Sequence, residues 1–335
     1  DSTSGNTFVG YLAGQSVDDG TINNTFIGHG VGDAGLANAL DNVGLGAGAL
    51  GALTSGDYNV AIGRDAGAAM TSNEANVIIG YKAFDAAPAG ANYNVCIGGE
   101  AGGITNNAGF DYNVMIGQDA GKGGNAVLKH CVAIGASALN STGDSAGADG
   151  TVAIGSSALT ALTSGAGNTA IGYKSGVETT TGSYNTAVGY ESYGADGGAA
   201  LTGSKNTCIG YQAGYDLQGA VQESTLIGYQ AGKALTTGNS NCCVGPDTLT
   251  TSLVATSMIA IGQGVMGAGT VTADAEGGIG IGVDALRNLS SGVGNTAVGY
   301  TAMAAQTTGA GNTAVGYQAL NDLNHANADS NVAIG

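Results

Sequence analysis

The chain has 335 residues, of which 63 are glycine, 2 are proline and none is tryptophan, and 25 acidic against 8 basic residues give a net charge of −17. The few, scattered basic residues argue against nucleic acid as a partner, because phosphate contacts need clustered Lys and Arg. They argue equally against an anionic membrane surface, and no run of residues is long enough to insert as a transmembrane helix. Hydrophobic residues make up 43% of the chain, too many for a disordered glycine-rich linker. We therefore expect glycine-rich turns around an apolar core.

A short motif, with Asn-Thr-Ala-Val-Gly-Tyr as its typical form, recurs along the whole chain at intervals of 17 to 21 residues. Its closing glycines are Gly10, Gly28, Gly46, Gly63, Gly80, Gly98, Gly117, Gly135, Gly155, Gly172, Gly189, Gly210, Gly228, Gly245, Gly262, Gly282, Gly299, Gly316 and Gly335. Such a period predicts an all-β fold, a parallel β-solenoid of nineteen coils. We expect one continuous domain over residues 1–335, truncated at both ends, with any anchor or binding tip outside it.

We call each set of equivalent positions in successive repeats a column. Two columns flank the central residue of each strand. The residue before the closing glycine is Ile or Val except Leu45, and the residue three before it is Val, Thr or Ile except Cys242. Side chains alternate along a strand, so both columns lie on one face. Their β-branched character suits a strand, and we assign them to the interior. The glycine then ends the strand, because the turn needs a positive φ or leaves no room for a Cβ.

Two further positions are structural. Four residues after the closing glycine stands either glycine, as at Gly14, or a bulky residue, as at Leu50, which we expect to fill the coil where the opposite wall leaves space. Four residues before it, 14 of 19 copies carry Asn. Stacked Asn side chains either bond to each other along the solenoid or each bond to their local turn.

The middle column, two residues before each closing glycine, contains no polar side chain. On the assignment above it faces outward, and it would form an apolar strip about 90 Å long. Soluble monomers do not leave such a strip exposed. We therefore predict that it packs against the same strip on one or two parallel copies of the chain. The predicted interface residues are Phe8, Phe26, Ala61, Cys96, Met115, Ala133, Ala153, Ala170, Ala187, Cys208, Leu226, Cys243, Ala260, Ala297, Ala314 and Ala333.

The runs from Asn295 to Tyr300 and from Asn312 to Leu320 resemble the repeats of phage tail-fibre proteins. The run from Val132 to Gly135 is similar to the head repeats of trimeric autotransporter adhesins. This resemblance implies a left-handed β-roll that assembles as a parallel homotrimer, with two further copies of the chain as partners. The repeat is longer than that of the adhesin heads, and the tyrosine after the glycine is more typical of tail fibres.

The function that follows is that of a structural shaft in a phage tail fibre or similar extracellular appendage, on a virion or cell surface, holding a receptor-binding tip. The alternative is the head or stalk of a bacterial trimeric surface adhesin that binds glycans or matrix. The favoured interpretation of the tyrosine column is that it shields the seam between strand and outer loop, with the hydroxyl groups in solvent. The alternative is contact with a host-surface receptor such as a glycan, for which Tyr173, Tyr190, Tyr211 and Tyr229 are the candidate residues. Ice binding is disfavoured, because the recurrent threonines are assigned to the interior.

No enzyme activity, cofactor or metal site is expected. His29, His130 and His325 are separated by many coils and cannot converge in a rigid stack. Cysteines such as Cys96 and Cys208 stand where alanine is usual and serve as small buried hydrophobes, with an interchain disulfide as the alternative. No cysteine pair has the spacing of a zinc site. The acidic residues fall mainly in turns and outer loops, as a solvated face or, alternatively, as calcium ligands.

Overall fold

The structure, a computed structural model, describes residues 5–103, 109–123, 128–141, 147–194, 199–252, 254–272, 275–323 and 328–335. The chain divides into two compact units, Asp1–Asn168 and Thr169–Gly335. The described residues form three-residue strands joined by turns, with no α-helix, and hence include no helix long and apolar enough to cross a bilayer. His325 lies outside the described residues. One continuous domain over residues 1–335 stays a prediction.

The first unit is a stack of nine parallel strands, each paired with the next in the same register. Val60, Ala61 and Ile62, for example, pair with Val77, Ile78 and Ile79. The strands are β1 (Thr7–Val9), β2 (Thr25–Ile27), β3 (Val43–Leu45), β4 (Val60–Ile62), β5 (Val77–Ile79), β6 (Val95–Ile97), β7 (Val114–Ile116), β8 (Val132–Ile134) and β9 (Val152–Ile154).

The second unit repeats this arrangement with ten parallel strands, and Thr207, Cys208 and Ile209 pair with Thr225, Leu226 and Ile227. The strands are β10 (Thr169–Ile171), β11 (Thr186–Val188), β12 (Thr207–Ile209), β13 (Thr225–Ile227), β14 (Cys242–Val244), β15 (Ile259–Ile261), β16 (Ile279–Ile281), β17 (Thr296–Val298), β18 (Thr313–Val315) and β19 (Val332–Ile334). The predicted all-β, parallel β-solenoid architecture is confirmed in both units.

Within each unit, successive closing glycines lie close to one another along the stack. Gly63 has a φ of +134°, and a Cβ added to it would lie 2.4 Å from the carbonyl oxygen of Gly80. Both predicted reasons for glycine therefore apply at once: the backbone conformation and the absence of room.

The asparagine column is a hydrogen-bonded ladder. Oδ1 of Asn59 accepts bonds from the backbone N–H of Asn76 at 3.1 Å and from its Nδ2 at 3.0 Å. Nδ2 of Asn76 also donates to the carbonyl oxygen of Ala91. These asparagines are buried, so the ladder satisfies backbone and side-chain groups that would otherwise lack partners inside the coil. Of the two arrangements considered, the bonds along the stack are confirmed, and bonds to the backbone accompany them.

The middle column lies inside the coil, and its predicted outward orientation is wrong. Its side chains are buried within a single chain, apart from Phe8 and Ala333, which are half-buried. They therefore cannot form the interface for which they were predicted. The residues whose predicted interface role is corrected are Phe8, Phe26, Ala61, Cys96, Met115, Ala133, Ala153, Ala170, Ala187, Cys208, Leu226, Cys243, Ala260, Ala297, Ala314 and Ala333.

The reason is the narrow interior of each coil. The residue four after the closing glycine faces the middle column across the coil, and the two compensate in size. A Cβ on Gly121 would lie 2.3 Å from Sδ of Met115, whereas opposite the small Ala133 stands the buried Leu139. Most pairs thus place one large side chain in the interior; the exceptions are Ala61 with Gly67 and Ala170 with Gly176, which are both small, and Ile78 with Phe84, which are both large. The β-branched flanking columns are turned outward.

Candidate functional site: the outer face of the strands

The flanking columns form the outward surface of each strand. In β12, Cys208 is fully buried, Thr207 is half-buried and Ile209 is 36% exposed. No charged residue occurs in either flanking column of the nineteen strands. We call these two columns, with the residue that follows each closing glycine, the outer face. Each unit therefore presents a regular and largely apolar ribbon with strands about 4.8 Å apart, on which Arg64, after a closing glycine of the first unit, is the one charged residue.

The composition of the outer face differs between the units. From β3 to β9 the residue three before the glycine is always Val, and the residue one before it is Leu or Ile. In the second unit the first of these columns carries Thr at β10–β13, then Cys242, Ile259 and Ile279, and Thr again at Thr296 and Thr313. Threonine, assigned to the interior from sequence, thus lies on the surface. The stated reason for disfavouring ice binding is wrong.

Acidic residues collect along the two sides of the outer face. Six residues before the closing glycine stand Asp57, Glu74, Asp111, Asp149, Glu276 and Asp329. Two residues after it stand Asp65, Glu100, Asp119, Glu191, Asp247 and Asp284. These twelve of the 25 acidic residues therefore lie beside the apolar ribbon and not on it, which leaves the ribbon itself free of like-charge repulsion.

Tyr173, Tyr190, Tyr211 and Tyr229 form an exposed stack one residue after the closing glycine. Their ring centroids are 5.2, 5.5 and 5.4 Å apart, with planes inclined by 27°, 11° and 8°. The faces of the two inner rings are covered by their neighbours, so these rings present edges and hydroxyl groups to solvent and cannot stack on a sugar. Contact with a host glycan stays a prediction for these four residues.

A row of hydrogen-bonded side chains runs beside this tyrosine stack. Nε2 of Gln212 donates to Oε2 of Glu191, and Nε2 of Gln230 donates to Oε1 of Gln212, both at 3.0 Å. Lys174 Nζ lies 5.5 Å from the centroid of the Tyr173 ring. A row of polar side chains thus repeats from coil to coil beside the tyrosine stack.

A second aromatic stack lies on the other side of the outer face, five residues before the closing glycine. Tyr93 and Tyr112 have centroids 5.0 Å apart, and Tyr112 and His130 are 5.3 Å apart. Sequence reasoning missed it, although aromatic residues recur at this spacing in three successive coils. These rings add aromatic contacts between successive coils.

The cysteines offer no reactive group in the interior. Burial raises the pKa of the Cys131 thiol to about 11 and also raises the pKa of Cys96, Cys208 and Cys243. These thiols remain protonated near neutral pH and are poor nucleophiles. Cys242 differs, because it is half-buried on the outer face. Among the described residues, no group of three or more His, Cys, Asp or Glu side chains is placed to hold a metal ion.

Comparisons of this chain with protein-family models, curated proteins and solved structures find no match.

Proposed function

We propose that the chain is a structural shaft segment of a phage tail fibre or similar extracellular appendage, built from three parallel copies that pack through their outer faces. The observation that carries this proposal is a largely apolar ribbon, without any acidic residue, that the chain itself leaves uncovered. The proposed interface is therefore formed by the flanking columns and not, as predicted from the sequence, by the middle column. A bacterial adhesin stalk remains the alternative parent structure.

The size of the ribbon supports burial. The ten strands of the second unit extend about 45 Å, and the outer face is about 13 Å wide, giving about 600 Å² in that unit alone. This equals the largest apolar patches on soluble monomers. The first unit adds a ribbon from nine strands. Two copies that pack through their second units alone would bury about 1,200 Å² in total, the lower end of the range for specific interfaces.

The regularity of the ribbon favours a copy of the chain as its partner. A protein that covers successive strands must present matching groups every 4.8 Å or so. A parallel copy does this without any further adaptation, because each coil meets the same coil. The acidic residues at the sides remain in solvent, where their repulsion keeps assembled shafts apart.

The oligomeric state tests this proposal directly. Light scattering on the purified chain should give three times the 32.2 kDa mass of one chain. The mass should persist on dilution into the low micromolar range, because the apolar ribbon is costly to expose. A mass of 32.2 kDa at every concentration would overturn the proposal.

Ice binding by the same face is a second candidate, favoured by the outward threonines at Thr169, Thr186, Thr207 and Thr225. A row of paired Thr-x-Ile or Thr-x-Val strands offers methyl and hydroxyl groups at regular spacings along and across the strands. The test is thermal hysteresis of the purified chain. A monomer that depresses the freezing point would support ice binding, and an inactive trimer would exclude it.

A further inference from the structure

A regular ribbon has a weakness as an interface, because it can slip. In β10–β13 the flanking columns carry Thr and then Ile or Val in every strand. A copy displaced by one coil would meet the same groups as a copy in register, just as a slipped strand does in a featureless sheet. Apolar burial alone therefore does not fix the level at which copies align.

Three successive strands of the second unit break this regularity. Cys242, Ile259 and Ile279 replace threonine in β14, β15 and β16, and threonine returns at Thr296. All three side chains lie on the outer face, half-buried or exposed. We call residues 242–281, which contain these strands, the register segment.

The tyrosine stack is interrupted in the same three coils. The residues after their closing glycines are Pro246, Gln263 and Val283, whereas Tyr229 precedes this stretch and Tyr300 follows it. Two columns of the outer face thus change together. The coincidence gives the ribbon of the second unit a stretch that differs in both polarity and shape from the coils on either side of it.

We infer that the register segment sets the alignment of parallel copies, an inference that rests on the proposed assembly. When copies are in register, the apolar strands of one copy pack against the apolar strands of the next. Threonine hydroxyls then lie beside threonine hydroxyls, with which they can hydrogen-bond. A shift of one coil places Thr225 against Cys242 and Ile279 against Thr296. Each mismatch buries a hydroxyl group without a partner, which is unfavourable.

Disulfide formation between engineered cysteines measures the alignment. In a Cys242→Val background, single cysteines are introduced by Thr207→Cys or Thr225→Cys, and chains with the same or different cysteines are co-expressed and oxidised. The other cysteines, Cys96, Cys131, Cys208 and Cys243, are buried. Chains with the cysteine at the same position (same-level pairs) should cross-link about tenfold more than chains with cysteines at different positions (mixed pairs), because disulfides tolerate little separation between Cα atoms.

The register segment itself is tested by making the threonine column uniform. With Cys242→Thr, Ile259→Thr and Ile279→Thr together, the tenfold preference for same-level pairs should fall, because the mismatches at these three strands are removed, while a control with Cys242→Val, Ile259→Val and Ile279→Val keeps the tenfold preference. An unchanged preference in the threonine variant would overturn the inference and leave the assembly intact. A monomeric chain would instead overturn the proposed function.

Discussion

Phe26 and Gly32 face each other across one coil, so closely that a Cβ on Gly32 would lie 2.5 Å from the Phe26 ring. Elsewhere the sizes are exchanged, as at Ala133 and Leu139, which are both buried. The Leu139 backbone has a φ of +52°, close to the +57° of Gly32, so leucine is compatible with this turn.

This relationship predicts a compensating pair. Phe26→Ala should destabilise the fold by roughly 3–5 kcal/mol through the cavity that it leaves. Adding Gly32→Leu should recover about half of that loss, because it recreates the Ala133–Leu139 arrangement. Denaturant unfolding of the single and double variants measures the recovery. Ala133→Phe, made against the existing Leu139, is the overpacked control and should destabilise the fold by about 1–3 kcal/mol.

The asparagine ladder predicts where stability can be gained. Cys131 interrupts the ladder, and its backbone N–H donates to Oδ1 of Asn113. Cys131→Asn should add bonds in the pattern of Asn76 and raise stability by about 1 kcal/mol. Asn76→Ala should lower it by about 3 kcal/mol, since it leaves buried partners unpaired. Thermal unfolding checks both, and equal midpoints for the two variants would contradict the ladder's role.

Gln306 is a local defect of the core. It is fully buried, and neither Nε2 nor Oε1 has a hydrogen-bond partner. In the preceding coil the corresponding residue is the buried Leu289. Gln306→Leu should therefore stabilise the second unit by about 1–3 kcal/mol. Leu289→Gln is the reciprocal control and should have the opposite sign in the same unfolding assay.

Assembly through an apolar ribbon with acidic sides predicts an unusual salt dependence. Raising the ionic strength from 0.1 M to 1 M shortens the screening length from about 10 Å to about 3 Å and weakens the repulsion between the sides of adjacent copies. The apolar contact is not weakened. Sedimentation should show that the dissociation constant falls at least about tenfold, whereas dissociation by salt would indicate an interface held by ion pairs.

Most of the fold could be predicted from the sequence, because the asparagine, the β-branched strand residues and the closing glycine keep the same positions within a motif that recurs every 17 to 21 residues. The orientation of the strands could not. Alternation places residues on two faces but does not say which is inside, and here both faces are apolar. The informative signal was the reciprocal size of pairs such as Phe26 with Gly32 and Gly44 with Leu50, which shows that the middle column borders the interior.

Two adjacent residues of β15 test the central claim most directly. Ala260 is fully buried, whereas Ile261 is 37% exposed on the outer face. Ala260→Asp should disrupt the fold, because it buries a carboxylate without a partner. Ile261→Asp should keep the β-structure but reduce the mass in light scattering from three chains to one, and Ala220→Asp, on an exposed turn, should change neither. A folded Ile261→Asp variant that remains trimeric, or a folded monomer from Ala260→Asp, would contradict the account.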